Sequence, residues 1–243
     1  MSDTRPIEYR AIWQDKPVLR KIYNDYYRRI AAYCVEGKTL EVGGGSGNFK
    51  SFRSDVISSD ILPASWLDAV ADAQALPFAP ESFDNIVMVD VLHHLEMPAR
   101  FFKEAQEILK PGGRVIMLEP AITPLSWFFY NFFHPEPVEL FANPLADAPP
   151  APGRDPFDAN QAIPTLLFRR NAKAFARRFS ALRLVALKRL SLFAYPLSGG
   201  FRPWQLIPTR MVVPLLKLEE KLIPFLGRAM AFRLLIVLEK NKD

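Results

Sequence analysis

Thr39-Leu40-Glu41-Val42-Gly43-Gly44-Gly45-Ser46-Gly47 is the stretch on which the fold turns. A short apolar run gives way to a cluster of glycines, so a strand must hand over to a tight turn. Glycine lets the backbone enter left-handed conformations and approach a ligand with no Cβ in the way. The amides opening the next helix then favour a polar or anionic group. The spacing departs from the dinucleotide fingerprint G-x-G-x-x-G. Counting from Gly43 and Gly45, the third glycine should fall at 48, which is Asn48. What stands instead is acid-x-Gly-x-Gly-x-Gly, led by Glu41, and that carboxylate suits a cationic ligand better than a pyrophosphate.

Working outward, residues 56–60 read as a second strand ending in a carboxylate, and a weaker third lies near 68–72. Residues 85–91, rich in β-branched side chains, read as a buried strand. Residues 98–109 carry Phe101, Phe102, Ala105, Ile108 and Leu109 at helical spacing, and Lys110-Pro111-Gly112-Gly113 stops that helix. Residues 114–119 make the next strand. Strands alternating with helices imply βαβ units and a mainly parallel sheet. Residues 8–34 read as helical, with a basic helix over 171–179 and strands over 182–190 and 232–239. Residues 209–226 are expected as helix broken near Pro224. Residues 121–142 are strongly aromatic, and 143–164, rich in Pro, Ala and Asp, read as a loop or lid.

Taken together and in order, these pieces resemble the class I S-adenosylmethionine-dependent methyltransferases from about residue 39 to 120, most of all the branch that methylates quinones, sterols and other small molecules. The resemblance implies a Rossmann-like α/β fold: a mostly parallel seven-stranded sheet, helices on both faces and an antiparallel last strand. This chain would add a helical insertion near the C-terminus. It implies S-adenosyl-L-methionine as cofactor, held by Glu41, Gly43, Gly45 and Gly47. Asp60 with Ile61 would meet the ribose, Asp72 with Ala73 the adenine, and Asp90 would follow strand four. Ala75-Leu76-Pro77-Phe78 and Asp90-Val91-Leu92-His93-His94-Leu95 resemble the family's segments around that strand. The implied domain is single, with a helical cover (1–38), a cofactor core (39–120), an aromatic segment and lid (121–180), and closing strands with an amphipathic insertion (181–243).

Methyl transfer from a sulfonium needs chiefly alignment, so catalytic candidates are few. His93 is one, as a base of near-neutral pKa, and His134 and Glu136 of His134-Pro135-Glu136-Pro137 are others. One cysteine and three histidines (His93, His94, His134) give no zinc-ligand spacing, so no metal is expected.

The net charge of +5 is unevenly spread. Residues 1–164 hold 15 basic against 22 acidic side chains, whereas residues 165–243 hold 16 against 4. A basic C-terminal third calls for an anionic partner, either a membrane surface or nucleic acid. Met211, Leu215, Leu218, Leu222 and Phe225 form an apolar stripe, with Arg210, Lys217, Lys221 and Arg228 beside it, as on helices lying in a bilayer interface. The acceptor expected is therefore small, hydrophobic or lipid-linked. Nucleic acid is the weaker reading, because the segment after strand four lacks the Asn/Asp-Pro-Pro-Tyr of base-amino methyltransferases. A non-catalytic cofactor-binding scaffold is a further alternative. With no apolar leader, no run long enough to span a bilayer and a lone Cys34, the expected location is cytoplasmic, peripheral on the inner face of a membrane.

Overall fold

A computed structural model describes residues 3–147 and 153–242. Two helices, α1 (Arg5–Asp15) and α2 (Pro17–Ala31), precede β1 (Thr39–Val42). The helical stretch expected over 8–34 is thus made of two helices. Pro17 disfavours helical backbone at the residue before it, and Lys16 leaves the helix at φ −116°, ψ 85°. The chain continues through α3 (Asn48–Phe52), β2 (Ile57–Asp60), β3 (Ala69–Val70), β4 (Phe83–Val89), α4 (Pro98–Ile108), β5 (Leu109–Pro120) and α5 (Pro124–Phe133). Then follow α6 (Ile163–Thr165), α7 (Ala172–Arg178), β6 (Leu182–Leu190), α8 (Ala194–Ser198), α9 (Val212–Met230) and β7 (Arg233–Lys240). Of the lid expected over 143–164, residues 148–152 lie outside the described residues.

The strands form one seven-stranded sheet in the order β3-β2-β1-β4-β5-β7-β6. β1, β2, β3, β4 and β5 run parallel, and β7 is antiparallel to both neighbours, β5 and β6. From β1 the chain moves to β2 on one side and later to β4 on the other. The order reverses at β1, which opens a crevice beyond the carboxyl ends of the strands. β7 starts at that same edge, with Arg233 opposite Pro120.

Both faces of the central strands β1, β4, β5 and β7 are largely buried, and the period-two alternation of a strand sorts its side chains between them. Ile86 and Met88 of β4, Val115 and Met117 of β5, and Leu234 and Ile236 of β7 pack with α4 and α7. There Phe102 meets Phe175 edge-on at 4.8 Å between ring centroids. Val87, Ile116, Leu118, Leu235 and Val237 face the other way, onto Leu19, Ile22 and Tyr26 of α2 and Val212 and Leu216 of α9.

α9 departs from the sequence reading in two respects. It runs through Pro224 to Met230 without a break. Pro224 lies on an exposed face, where one missing backbone hydrogen bond is tolerated by a 19-residue helix anchored along its other side. That anchored side is not the expected stripe. Val212, Leu216, Glu219 and Gly227 face inward, whereas Met211, Leu218 and Phe225 are exposed. The buried Glu219 carboxylate accepts the amide hydrogens of Phe193 and Ala194 and so holds the start of α8.

Lys16, at the break between α1 and α2, is 6% exposed, and its ammonium donates to the carbonyls of Gly200, Arg202 and Trp204 at 2.8, 2.6 and 2.9 Å. Lys16→Met keeps the apolar stem and leaves three carbonyls short of a donor. It should lower unfolding stability by about 1–3 kcal/mol. In urea denaturation this appears as a lower midpoint at unchanged slope.

Candidate functional site

A cavity of about 640 Å³ opens in the crevice. Glu41, Gly43, Gly45, Asp60, Ile61, Asp72, Ala73 and Asp90 all line it, as do His93, His134 and Glu136. Gly47 alone of the expected set does not. It starts α3 with φ +75°, its Cα side packed against Trp66 and Arg10.

The turn after β1 is held by the ends of neighbouring elements. Asp60, ending β2, accepts the Gly45 amide at Oδ2 (2.8 Å) and the Leu62 amide at Oδ1 (2.9 Å). The Gly44 amide donates to the Ser59 carbonyl, the Trp66 indole to the Gly45 carbonyl, and the Arg10 guanidinium to the Ser46 carbonyl. Gly43 has φ +73°, and a Cβ there would sit 2.2 Å from a Val91 methyl. Gly45 has φ +45° and nothing nearer than 4.0 Å on its Cβ side, so the turn presents bare backbone to the cavity there. Oδ2 thus holds the turn and Oδ1 the segment after β2, and a carboxylate oxygen can accept more than one hydrogen bond. Asp72, steadied by the Gln74 amide at 2.8 Å, lies on the same wall. These residues fit an adenosyl cofactor: two acids at neighbouring strand ends and a turn bare of side chains.

Glu41 is 4% exposed and bonded to the Ser58 hydroxyl at 2.5 Å. Burial pushes its pKa up to about 7, against the Ser58 hydrogen bond, which lowers it.

Asp90 occupies left-handed backbone (φ +59°) immediately after β4. Its carboxylate is engaged by Arg233, with Nη2 to Oδ2 at 3.0 Å and Nη1 close on Oδ1, and by the Tyr23 hydroxyl at 2.9 Å. Arg233 is buried, with its guanidinium 4.1 Å above the Tyr195 ring. Nothing near Asp90 in the sequence points to Arg233, which comes from the far end of the chain. Only the topology, which starts β7 at this edge, brings them together.

At the other end of the cavity, His93 is buried with Nδ1 2.7 Å from Glu119 Oε2 and Nε2 3.6 Å from Glu136 Oε2. Glu119 Oε1 accepts the amides of Val91 and Leu92. Burial opposes charge on His93, but Glu119 and Glu136 outweigh it and hold its pKa up at about 10. Burial would raise Glu136, yet His93 brings it down to about 2. Burial, then the charge of His93, lowers His94 to about 4. The two carboxylates therefore favour positive charge at this end of the cavity. The spacing of three histidines did not foresee that Glu136 would join His93 and His94 in one cluster. His134 stands apart, its Nδ1 accepting the Glu136 amide at 3.3 Å.

A carboxyl of pKa about 7 is neutral in mild acid and charged above it. If it faces the cationic methionyl end of the cofactor, S-adenosylmethionine affinity rises severalfold from pH 6 to 8. Calorimetry at stepped pH should give that slope in the native protein and a flat profile in Glu41→Gln.

Residues 40–117 match a family described as Methyltransferase domain. A protein of Methanocaldococcus jannaschii is 30% identical over 104 residues, 40% of this chain and 51% of that protein. The ubiquinone/menaquinone biosynthesis C-methyltransferase of Pasteurella multocida is 28% identical over 122 residues, 40% of this chain and 45% of the enzyme. The chain thus spans about half the length of these relatives. Among solved structures, a SAM-dependent methyltransferase from Archaeoglobus fulgidus superposes with a TM-score of 0.54 at 15% identity, covering 91% of this chain and 94% of that one. One from Thermotoga maritima gives 0.52 at 16%, covering 94% and 100%. At such identities the likeness speaks for the fold alone. Residues 40–117 are thus similar to a methyltransferase domain, and the chain shares its fold with SAM-dependent methyltransferases of known structure.

Proposed function

We propose that the protein transfers a methyl group from S-adenosylmethionine to a small hydrophobic acceptor, of the kind a quinone ring on a lipid tail represents, taken up at an anionic membrane surface. The observation that supports this most is continuity between the cavity and the outer surface. Phe133 and Trp204 both line the cavity and are exposed, at 56% and 40%. Phe133 lies on α5 beside Trp127, Phe128 and Phe132, all exposed, and α5 packs beside α9, which exposes Met211, Val213, Leu218 and Phe225. Apolar side chains so concentrated on one part of a surface mark an interaction site. Arg210, Lys217, Lys221 and Arg228 are exposed on the same α9 region. Cations interleaved with an apolar face favour a lipid interface over nucleic acid, which would leave the phenyl rings in water. Among the described residues no helix is long and apolar enough to cross a membrane, in keeping with attachment at the surface. Relatives named as quinone C-methyltransferases support the acceptor class.

Bound S-adenosylmethionine supplies an electrophilic sulfonium methyl. The chain's own residues do the rest by position. Asp60 receives the ribose hydroxyls while pinning Gly45, Asp72 with Ala73 meets the adenine, and Glu41 offsets the positive methionyl end. The aromatic wall of Phe129 and Phe133 excludes water around the acceptor. His134 and Glu136, on the elbow after α5, orient it by hydrogen bonds.

Two measurements check this reading. Asp60→Ala should weaken S-adenosylhomocysteine binding by about ten- to a hundredfold in calorimetry, as expected for hydrogen bonds to a charged group. In co-sedimentation, the protein should bind vesicles containing phosphatidylglycerol at low salt and release as salt rises, and Phe132→Glu with Phe225→Glu should abolish binding. No sedimentation with anionic vesicles at low salt removes the membrane half of the reading.

A further inference from the structure

The cluster at the acceptor end of the cavity has the composition of a metal donor set. One ring nitrogen each from His93 and His94 and one carboxylate oxygen of Glu136 all lie within 4.8 Å of one another. His93 is oriented as a ligand would be. Its Nδ1 gives a hydrogen to Glu119, Glu119 is fixed in turn by two backbone amides, and Nε2 is left directed toward Glu136. A carboxylate behind a histidine sets the tautomer and raises the basicity of the outward nitrogen, which is how metal-bound histidines are usually supported.

His94 adds a second imidazole, and its Nδ1 is buried with no hydrogen-bond partner among the described residues. Most buried polar atoms have one, so this nitrogen points to a group from outside the chain. The charges agree. Two carboxylates, Glu119 and Glu136, enclose a pair of imidazoles, and a divalent ion taking the place of the proton on His93 supplies the positive charge they favour. All three donors line the cavity, so the remaining coordination positions face the space an acceptor would fill.

We propose that His93, His94 and Glu136 bind one divalent transition-metal ion, with zinc the best match to two imidazoles and a carboxylate and with an open position toward the cavity. Bonds of about 2.0–2.2 Å draw the donors together by roughly an ångström, within reach of the side-chain torsions of His94 and Glu136. An oxygen on the acceptor could then occupy the open position.

Tag-free protein stripped with a chelator is titrated with Zn2+ by calorimetry and with Co2+ by visible absorption. The expected result is one ion per chain with cobalt ligand-field bands, and a loss of at least tenfold in affinity in His94→Ala and in Glu136→Gln. Glu119→Gln, which touches no ion, should weaken binding by about ten- to a hundredfold. Circular dichroism separates a lost site from a lost fold, and His94→Gln replaces any variant that fails to fold. Absence of saturable binding, or binding unaltered in the His94 and Glu136 variants, overturns the proposal. The site shares Glu136 with the acceptor end of the methyl-transfer reading, but its test is independent of the cofactor. Protein that binds S-adenosylmethionine but not Zn2+ loses the ion site alone, and the opposite result loses the cofactor reading alone.

Discussion

Asp60 ties the end of β2 to the turn that follows β1. One oxygen takes the Gly45 amide and the other the Leu62 amide, so a single carboxylate fixes both walls of the crevice. Charge-assisted bonds of this kind are stronger than neutral ones, and partial burial protects them from competing water. Through Gly43, in contact range of Val91, the same turn is registered against the segment after β4. The two ends of the cavity are therefore set by one local geometry. A glycine turn by itself is slack; this one is rigid because Asp60, Trp66 and Arg10 each occupy one of its polar groups.

Buried charge recurs along this edge, and each instance has a partner. Arg233 is matched by Asp90 and Tyr23, and His93 by Glu119 and Glu136. Removing one member of such a pair leaves the other uncompensated in a poor solvent for ions, which costs far more than the pair contributes. Stability is thus not the best explanation for placing these groups here. They surround a cavity, and a fixed charge beside a cavity acts on whatever enters it.

Much of this was legible in the sequence, for physical reasons that can be named. The glycines at 43–47, the acids at 60 and 72 and the alternation of strands with helices are local signals, and local signals survive without knowledge of the fold. Pro17 was legible too, as a break between helices, but the apolar residues spanning it obscured the signal. Pro224 misleads in the other direction, because proline is tolerated where the helix face is exposed and the rest of the helix is anchored. The stripe from Met211 to Phe225 has helical spacing, yet periodicity says only that a face is apolar, not that it is covered. Glu119, Arg233 and the pairing of Glu136 with His93 are products of topology, with partners far away in sequence, and no local pattern announces them.

The position of β7 has a consequence for how the molecule comes into being. This strand, the last of the seven in chain order, fills an interior slot between β5 and β6. Until residues 233–240 leave the ribosome, β5 ends in an unpaired edge, β6 has no neighbour and Asp90 has no guanidinium. Such non-local closure is slow and leaves adhesive strand edges open meanwhile. The crevice is thus completed late, and a nascent chain holding every glycine of the cradle still lacks the cation that steadies its floor.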